Sequence, residues 1–319
     1  MLAGEYAVLE GGRCLAVTVN QWLTASASSA DTFSIHSDLW SQTYDLSTLS
    51  PQTIAAEPLL QAAQAARQLW FPHSGFALNI RSELDVAYGL GSSSAVRLAS
   101  FLALQGLAES PETVDALRLG AMARELQLEQ QSFASGYDLL VQSQGGLILW
   151  NPDYRQWPGS FQKQSCQGLD SWVHIYGGGR GAPTGNLGRL VRSWLAQDQR
   201  AGTLYTLSEA LIDAYSEVLR NSWAQAHSGF MHALLAHRRF LSQAPGFPET
   251  LARQLSALPG CDQSWTFKTT GAGGEDAILL FGPAESLREA DSLLRTLGWH
   301  QLTAGFTDQG AHWYPKEIL

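Results

Sequence analysis

The sequence predicts a two-domain α+β protein, and three observations carry that expectation. At 319 residues the chain is longer than one small core organises, and such chains commonly split into two domains. Residues 74–84, SGFALNIRSEL, alternate apolar and polar side chains as a strand does, and a glycine–serine turn then opens an apolar helix. The last part of the chain reads strand, glycine loop, strand, helix, strand, which fits a small sheet covered by helices on one face.

Along the first half, Glu5–Leu9, Cys14–Thr24 and Thr32–Ser37 are expected as strands. A helix over Pro58–Leu69 starts on its proline, and the 74–84 strand leads to a helix ending near Gly106. The stretch SPETVDALRLGAMARELQLEQ places Ser110 as N-cap, Pro111 in the first turn and acids after it. The loop SFASGYD follows, then a short helix and the strand GGLILW at 145–150. Between Asn151 and Gly168 the pattern weakens into Pro, Gly, Gln and Ser, so domains of 1–168 and 169–319 are expected. Beyond it come a strand at 171–177, several helices between Gly185 and Leu258, and the strands SWTFK, DAILLFG and WHQLTAGF around a helix near Ala284–Leu297. No internal repeat is visible.

Composition narrows the function. The net charge is −9, the lysines are Lys163, Lys268 and Lys316, and no basic patch interrupts the sequence, which argues against nucleic acid as a main partner. Cys14, Cys166 and Cys261 show no CxxC spacing and suit a reducing compartment. The chain opens without a signal-like segment and carries no apolar run of membrane-spanning length, so a cytoplasmic protein without membrane partners is expected. The histidines have no HxxxH or HExxH spacing, which argues against a histidine metal site.

Three stretches can carry chemistry. Gly89-Leu90-Gly91-Ser92-Ser93-Ser94-Ala95 sits between a strand and a helix, where backbone N–H groups and the helix dipole hold phosphate. A plain N-cap needs one serine, not three, and the absence of a following Gly-Lys-Ser/Thr excludes the Walker pattern. Gly271-Ala272-Gly273-Gly274-Glu275-Asp276 resembles a dinucleotide fingerprint, but strands are expected on both sides, so by itself it reads as a hairpin turn. Lys268 adds a cation just before it. Ser135-Gly136-Tyr137-Asp138 ends on an aspartate whose local reading is a helix cap.

In this order the three resemble the superfamily of galactokinase, homoserine kinase, mevalonate kinase and phosphomevalonate kinase, the GHMP kinases, over nearly the whole chain. Within it, GEYAVLEGG with Tyr6 where mevalonate kinases usually carry histidine, SGYD followed by GG, GGGRGAPTGNLGRLV (177–191) and KTTGAGGEDAILLF are most similar to phosphomevalonate kinase.

The resemblance implies a GHMP kinase fold, with a ribosomal protein S5 domain 2-like N-terminal domain and a ferredoxin-like C-terminal domain carrying extra helices. It implies ATP and Mg²⁺ as cofactors, a small phosphorylated or carboxylated alcohol as substrate, and a homodimer as one possible assembly. Gly89, Leu90, Gly91, Ser92, Ser93, Ser94, Gly271, Ala272, Gly273 and Gly274 are implied as phosphate-binding, with Ser93 or Ser94 touching the metal. Asp138 is implied to take or orient the acceptor's proton. Lys268 and Arg180, which fall inside family-like segments, are implied to hold an acidic acceptor, with Arg97 outside those segments as a further candidate; Lys268 is counted with Asp138 as catalytic, while Glu5, Tyr6, Ser135, Gly136 and Tyr137 border the acceptor. The superfamily also carries a lysine shortly before the Gly-Glu-Tyr segment, and Met1-Leu2-Ala3 contain none. Either the natural start lies upstream or that cation is lost, and Glu275 stands where another glycine is usual. The expected activity is conversion of 5-phosphomevalonate to its diphosphate. The alternatives are a related kinase with another acceptor, such as mevalonate, and a non-catalytic relative.

Overall fold

The computed structural model describes residues 1–38, 42–83, 88–109, 113–130, 133–178, 184–270 and 277–314. The chain divides into two compact units: one of Met1–Asn20, Val86–Leu90 and Leu147–Asp308, the other of Gln21–Asp85, Gly91–Gly146 and Gln309–Leu319. Gly271–Gly274 and Arg180 lie outside the described residues. Strands and helices are numbered along the chain.

In the first unit, β1 (Cys14–Val17) pairs antiparallel with β6 (Leu147–Pro152), which pairs with β7 (Gly159–Gln164). The segment 151–168, expected to be irregular, therefore contains a strand. Its alternation is masked because β7 lies mostly exposed at the sheet edge, with no apolar face to betray it. A second antiparallel sheet has the order β11 (His300–Gln301), β8 (Val173–Gly177), β10 (Ala277–Phe281), β9 (Thr266–Thr269). β10 is buried along its whole length, as a central strand covered on both faces must be. The expected strand over 299–306 shortens to β11, after which Phe306 makes only an isolated bridge to Val19.

Helices α6 (Thr184–Leu195), α7 (Arg200–Asn221), α8 (Trp223–Leu241), α9 (Glu249–Ser256) and α10 (Ala284–Thr296) complete this unit. Its main core gathers Trp172 beside β8, Tyr215 of α7, Phe230 of α8 and Phe281 of β10. The Tyr215 and Phe230 rings meet edge to face at 4.8 Å between centroids, and Phe230 lies 5.2 Å from Phe281. Such contacts add about 0.5–1.5 kcal/mol to simple burial.

The segment GEYAVLEGG is not a strand. Ala3 makes the β-bridge to Leu15, and the chain then folds into a 3-10 turn over Ala7–Glu10. Glycines enforce this. Gly4 has φ +96°, and a Cβ there would stand 2.5 Å from the Arg13 carbonyl oxygen.

In the second unit, β2 (Leu23–Ala30) pairs antiparallel with β5 (Gly75–Ser82). β3 (Phe33–Ser37) runs parallel to β5 and antiparallel to β4 (Gln42–Asp45), giving the order β2-β5-β3-β4. The expected single strand over Cys14–Thr24 is therefore two strands in different sheets. α1 (Pro51–Ala56) is capped by Ser50, whose hydroxyl accepts from Thr53 N at 3.1 Å, and α2 (Pro58–Trp70) begins on its proline. α3 (Ser92–Ala108) packs on β2 and beside α2. Val96, Leu98, Phe101, Leu102, Ala103 and Leu104 are all buried, together with the polar Ser94, Arg97, Ser100 and Gln105, so this helix is covered on most sides.

α4 (Ala116–Gln130) starts later than the Ser110 expectation. Ser110 and Pro111 lie outside the described residues, and Asp115 Oδ1 accepts from Leu117 N at 2.9 Å and Arg118 N at 3.2 Å as the cap. α5 (Tyr137–Gln144) follows the SFASGYD loop.

The aromatic core yields a direct expectation. Phe281→Ala should lower the unfolding free energy by about 3–5 kcal/mol in urea titration. A loss below about 1 kcal/mol would mean that the four rings are not packed as described.

Candidate active site

The second unit carries a polar constellation at the start of α3. Gly91 is its N-cap, with φ +87° and no side chain to cap the first turn. The leading N–H groups therefore have no side-chain acceptor from the cap, while Ser94 N and Ala95 N donate to Gly91 O at 3.2 and 3.0 Å. A Cβ on Gly91 would stand 2.9 Å from Gln142 Nε2, and that amide donates to Gly91 O at 3.0 Å. Glycine is required there by both conformation and space.

The serines divide the work. Ser93 is exposed and its Oγ accepts from Arg97 Nη1 at 2.6 Å. Ser94 is 1% exposed. Its hydroxyl donates to Asp138 Oδ2 at 2.5 Å and accepts from Gln127 Nε2 of α4 at 2.8 Å. Asp138 belongs to the first turn of α5, whose N-cap is Gly136 with φ +77°. No side-chain cap bond is made there, so the local capping expectation for Asp138 fails. Among the described residues its Oδ1 accepts only the adjacent Leu139 N, at 3.0 Å, and the other oxygen is turned to Ser94.

The loop before α5 is pinned from below. Arg124, 5% exposed on α4, donates through Nε to Ala134 O at 3.0 Å, which fixes the approach of Ser135, Gly136 and Tyr137. Gly89, with φ +59°, and Leu90 precede the turn in the first unit, where Leu90 packs against the main core.

Arg97 is 2% exposed and points under the turn. Burial draws its pKa down to about 10, against the favourable field of Asp138. Among the described residues no group of three His, Cys, Asp or Glu side chains is placed to hold a metal ion. One carboxylate beside a hydroxyl, with phosphate oxygens supplying the rest, is a donor set that fits Mg²⁺.

The first unit holds a pocket lined by Glu5, Tyr6, His237, Lys268, Phe247 and Phe267 among others. Lys268 Nζ is ion-paired with Glu5 Oε1 and donates to Met1 O at 3.2 Å and Thr269 O at 3.1 Å. All three ammonium protons are engaged, so this lysine clamps the Gly-Glu-Tyr turn. Burial raises the Glu5 carboxyl's pKa, but Lys268 and His237 outweigh it and hold the group below its ordinary value. Glu5 Oε2 is buried with no hydrogen-bond partner among the described residues. Tyr6 adopts φ +59°, a conformation uncommon for a side chain of this size. Its hydroxyl is pushed to higher pKa by burial and by the Glu5 charge. His237 is drawn down to about 4, chiefly by burial and further by Lys268, while Glu5 opposes.

Sequence reasoning missed Gln61, Gln127 and Gln142, which set the positions of Arg97, Ser94 and Gly91. The signal was present. Gln127 falls on the buried stripe Leu119, Gly120, Ala123, Arg124 of α4, and Gln61 on the buried face of α2. A polar residue on an apolar stripe must find a partner.

Residues 55–146, which span this constellation, match the GHMP kinases N terminal domain. A mevalonate kinase of Archaeoglobus fulgidus is 30% identical over 156 residues, 49% of this chain and 51% of that protein, so the alignment covers about half of that relative's length. Among solved structures, Streptococcus pneumoniae phosphomevalonate kinase in complex with phosphomevalonate and AMPPNP superposes with a TM-score of 0.74 at 21% identity, covering 96% of each chain. Methanococcus jannaschii mevalonate kinase superposes with a TM-score of 0.71 at 17% identity, covering 96% of this chain and 95% of that one. The fold is that of the GHMP kinases. Among the described residues, no helix is long and apolar enough to cross a membrane.

Two outcomes test the pocket. Lys268→Met should destabilise by about 3–5 kcal/mol in urea, because it strands a buried carboxylate, and adding Glu5→Gln should recover most of that loss. A double variant no better than the single one contradicts the pairing. His237 stays neutral in the folded chain while the unfolded chain protonates near 6.5. Its contribution is therefore complete above about pH 6.5 and is lost as pH falls toward 4, roughly 3 kcal/mol in all. His237→Gln should show a shallower fall in urea midpoint across that window than the parent protein.

Proposed function

We propose that this chain transfers the γ-phosphoryl group of ATP to a hydroxyl of a small acidic metabolite, with 5-phosphomevalonate the leading acceptor. The observation that carries the reading is the Ser94–Asp138 hydrogen bond, which sets a carboxylate against an uncapped, glycine-led serine turn. Phosphoryl transfer asks a protein mainly for positioning and charge neutralisation. The N–H groups of Ser92 and Ser93 bind the phosphates, and the α3 dipole favours their negative charge. Asp138 orients the acceptor hydroxyl and takes its proton as the new O–P bond forms. The bond between the γ-phosphorus and its bridging oxygen breaks, and ADP leaves. Bound Mg²⁺ supplies further neutralisation of the phosphates. Ser94, held between Gln127 and Asp138, keeps the carboxylate aimed.

The substrate-binding roles of Glu5, Tyr6, Ser135, Gly136, Tyr137 and Arg180 and the phosphate contacts of Gly271–Gly274 belong to the same proposal, as does a catalytic role of Lys268, which requires that lysine to exchange one of its three hydrogen bonds for substrate. So do a cytoplasmic setting and a homodimer. Tyr6 supports phosphomevalonate through the family resemblance, while the Archaeoglobus fulgidus relative supports mevalonate as the second acceptor. ATP consumption measured with mevalonate 5-phosphate, mevalonate and homoserine separates these. The first should be turned over with the highest kcat/KM, and Asp138→Asn should reduce kcat by about 10²–10⁴. Failure to bind Mg²⁺–ATP at millimolar concentration would favour a non-catalytic relative, and full activity of Asp138→Asn would remove the role given to that carboxylate.

A further inference from the structure

We propose that Arg97 is a positioning residue and fixed charge that makes the serine turn a grip for a polyphosphate, an inference that rests on the phosphoryl-transfer reading above. Its guanidinium donates to Ser93 Oγ at 2.6 Å, to Ser93 O at 3.2 Å, and to Gln61 Oε1 at 2.8 and 3.3 Å. Every partner is neutral. No carboxylate lies within 4 Å of it among the described residues. Asp138 is the charged group whose field it feels, and that carboxylate is already engaged by Ser94.

An arginine this deeply buried ordinarily takes a carboxylate partner. The fold prevents one at position 61. Gln61 Nε2 donates to Ala55 O at 2.6 Å, which turns Oε1 toward Arg97. A carboxylate there would set its second oxygen against that carbonyl. The positive charge is thereby kept free of an ion pair. It is also delivered to the wrong end of a helix for a cation, because the side chain reaches back one turn to Ser93 at the positive end of α3. The two fields add. That arrangement is unfavourable without a ligand and favourable for an anion seated on the turn.

The same bond assigns roles to the serines. Arg97 occupies an acceptor side of the exposed Ser93 hydroxyl, so its proton is left to donate to a phosphate oxygen, and a cation beside it disfavours metal ligation. Ser94, next to Asp138, is the serine on the metal side.

The test is calorimetric binding of ATP, ADP and adenosine to the full chain in Mg²⁺, which needs no turnover. Arg97→Met removes the charge and keeps the length, and exchange of a buried charge for an apolar group of similar volume is tolerated by many folds. It should weaken ATP by about tenfold or more, ADP by less, and adenosine not at all. Arg97→Lys should restore most of the ATP affinity. Ser93→Ala, on an exposed side chain, should weaken ATP several-fold without changing the Mg²⁺ dependence, and it carries the test alone should Arg97→Met unfold. ATP affinity within twofold of the parent in these variants, or equal weakening of ATP and adenosine, overturns the inference while leaving the kinase reading intact. A parent protein that binds no ATP overturns both.

Discussion

One short hydrogen bond organises the second unit of this protein. Ser94 Oγ donates to Asp138 and accepts from Gln127, so a single hydroxyl ties the start of α3 to α5 and α4. Its burial matters. A serine at this depth with a charged acceptor cannot exchange that bond for water, and bonds to ionised groups are worth more than neutral ones. The carboxylate is therefore held at a fixed distance from the glycine-led turn. The rest of the second unit serves that placement: the apolar body of α3 seats it on β2, and Arg124 fixes the loop that delivers Asp138.

Two of the buried cations, one in each unit, are handled differently. Lys268 is paired with Glu5 and saturated by two carbonyl oxygens, which is how an interior charge is made tolerable. Arg97 is surrounded by hydrogen-bond acceptors that carry no charge. Both satisfy geometry, but only the first satisfies electrostatics within the protein. Such a difference is expected where stability is traded for function, which is the role proposed for Arg97 beneath the serine turn. His237 shows a third solution, in which burial keeps a titratable ring neutral beside an ion pair.

Much of this was legible in the sequence because local chemistry agreed with the fold. The alternation of 74–84 became β5, and Pro58 opened α2. The glycine–serine turn opened α3, and the phosphate expectation rested on that junction. GEYAVLEGG misled, because its apolar run reads as a strand while Gly4 and Gly12 force a 3-10 turn. β7 was hidden by exposure, and the cap of α4 by a competing serine upstream of Asp115. The glutamines were hidden for another reason. Periodicity shows that Gln61 and Gln127 face the interior, but the partner each reaches is set by how distant helices pack.

The central claim is that the turn at Gly91–Ser94 and the carboxylate of Asp138 form one phosphoryl-transfer site. A crystal structure with Mg²⁺ and a non-hydrolysable ATP analogue tests it most directly. Phosphates lying on the N–H groups of Ser92 and Ser93, with the terminal phosphorus on the side of Asp138, are the predicted result. Nucleotide bound elsewhere, with this turn still facing solvent, would contradict it.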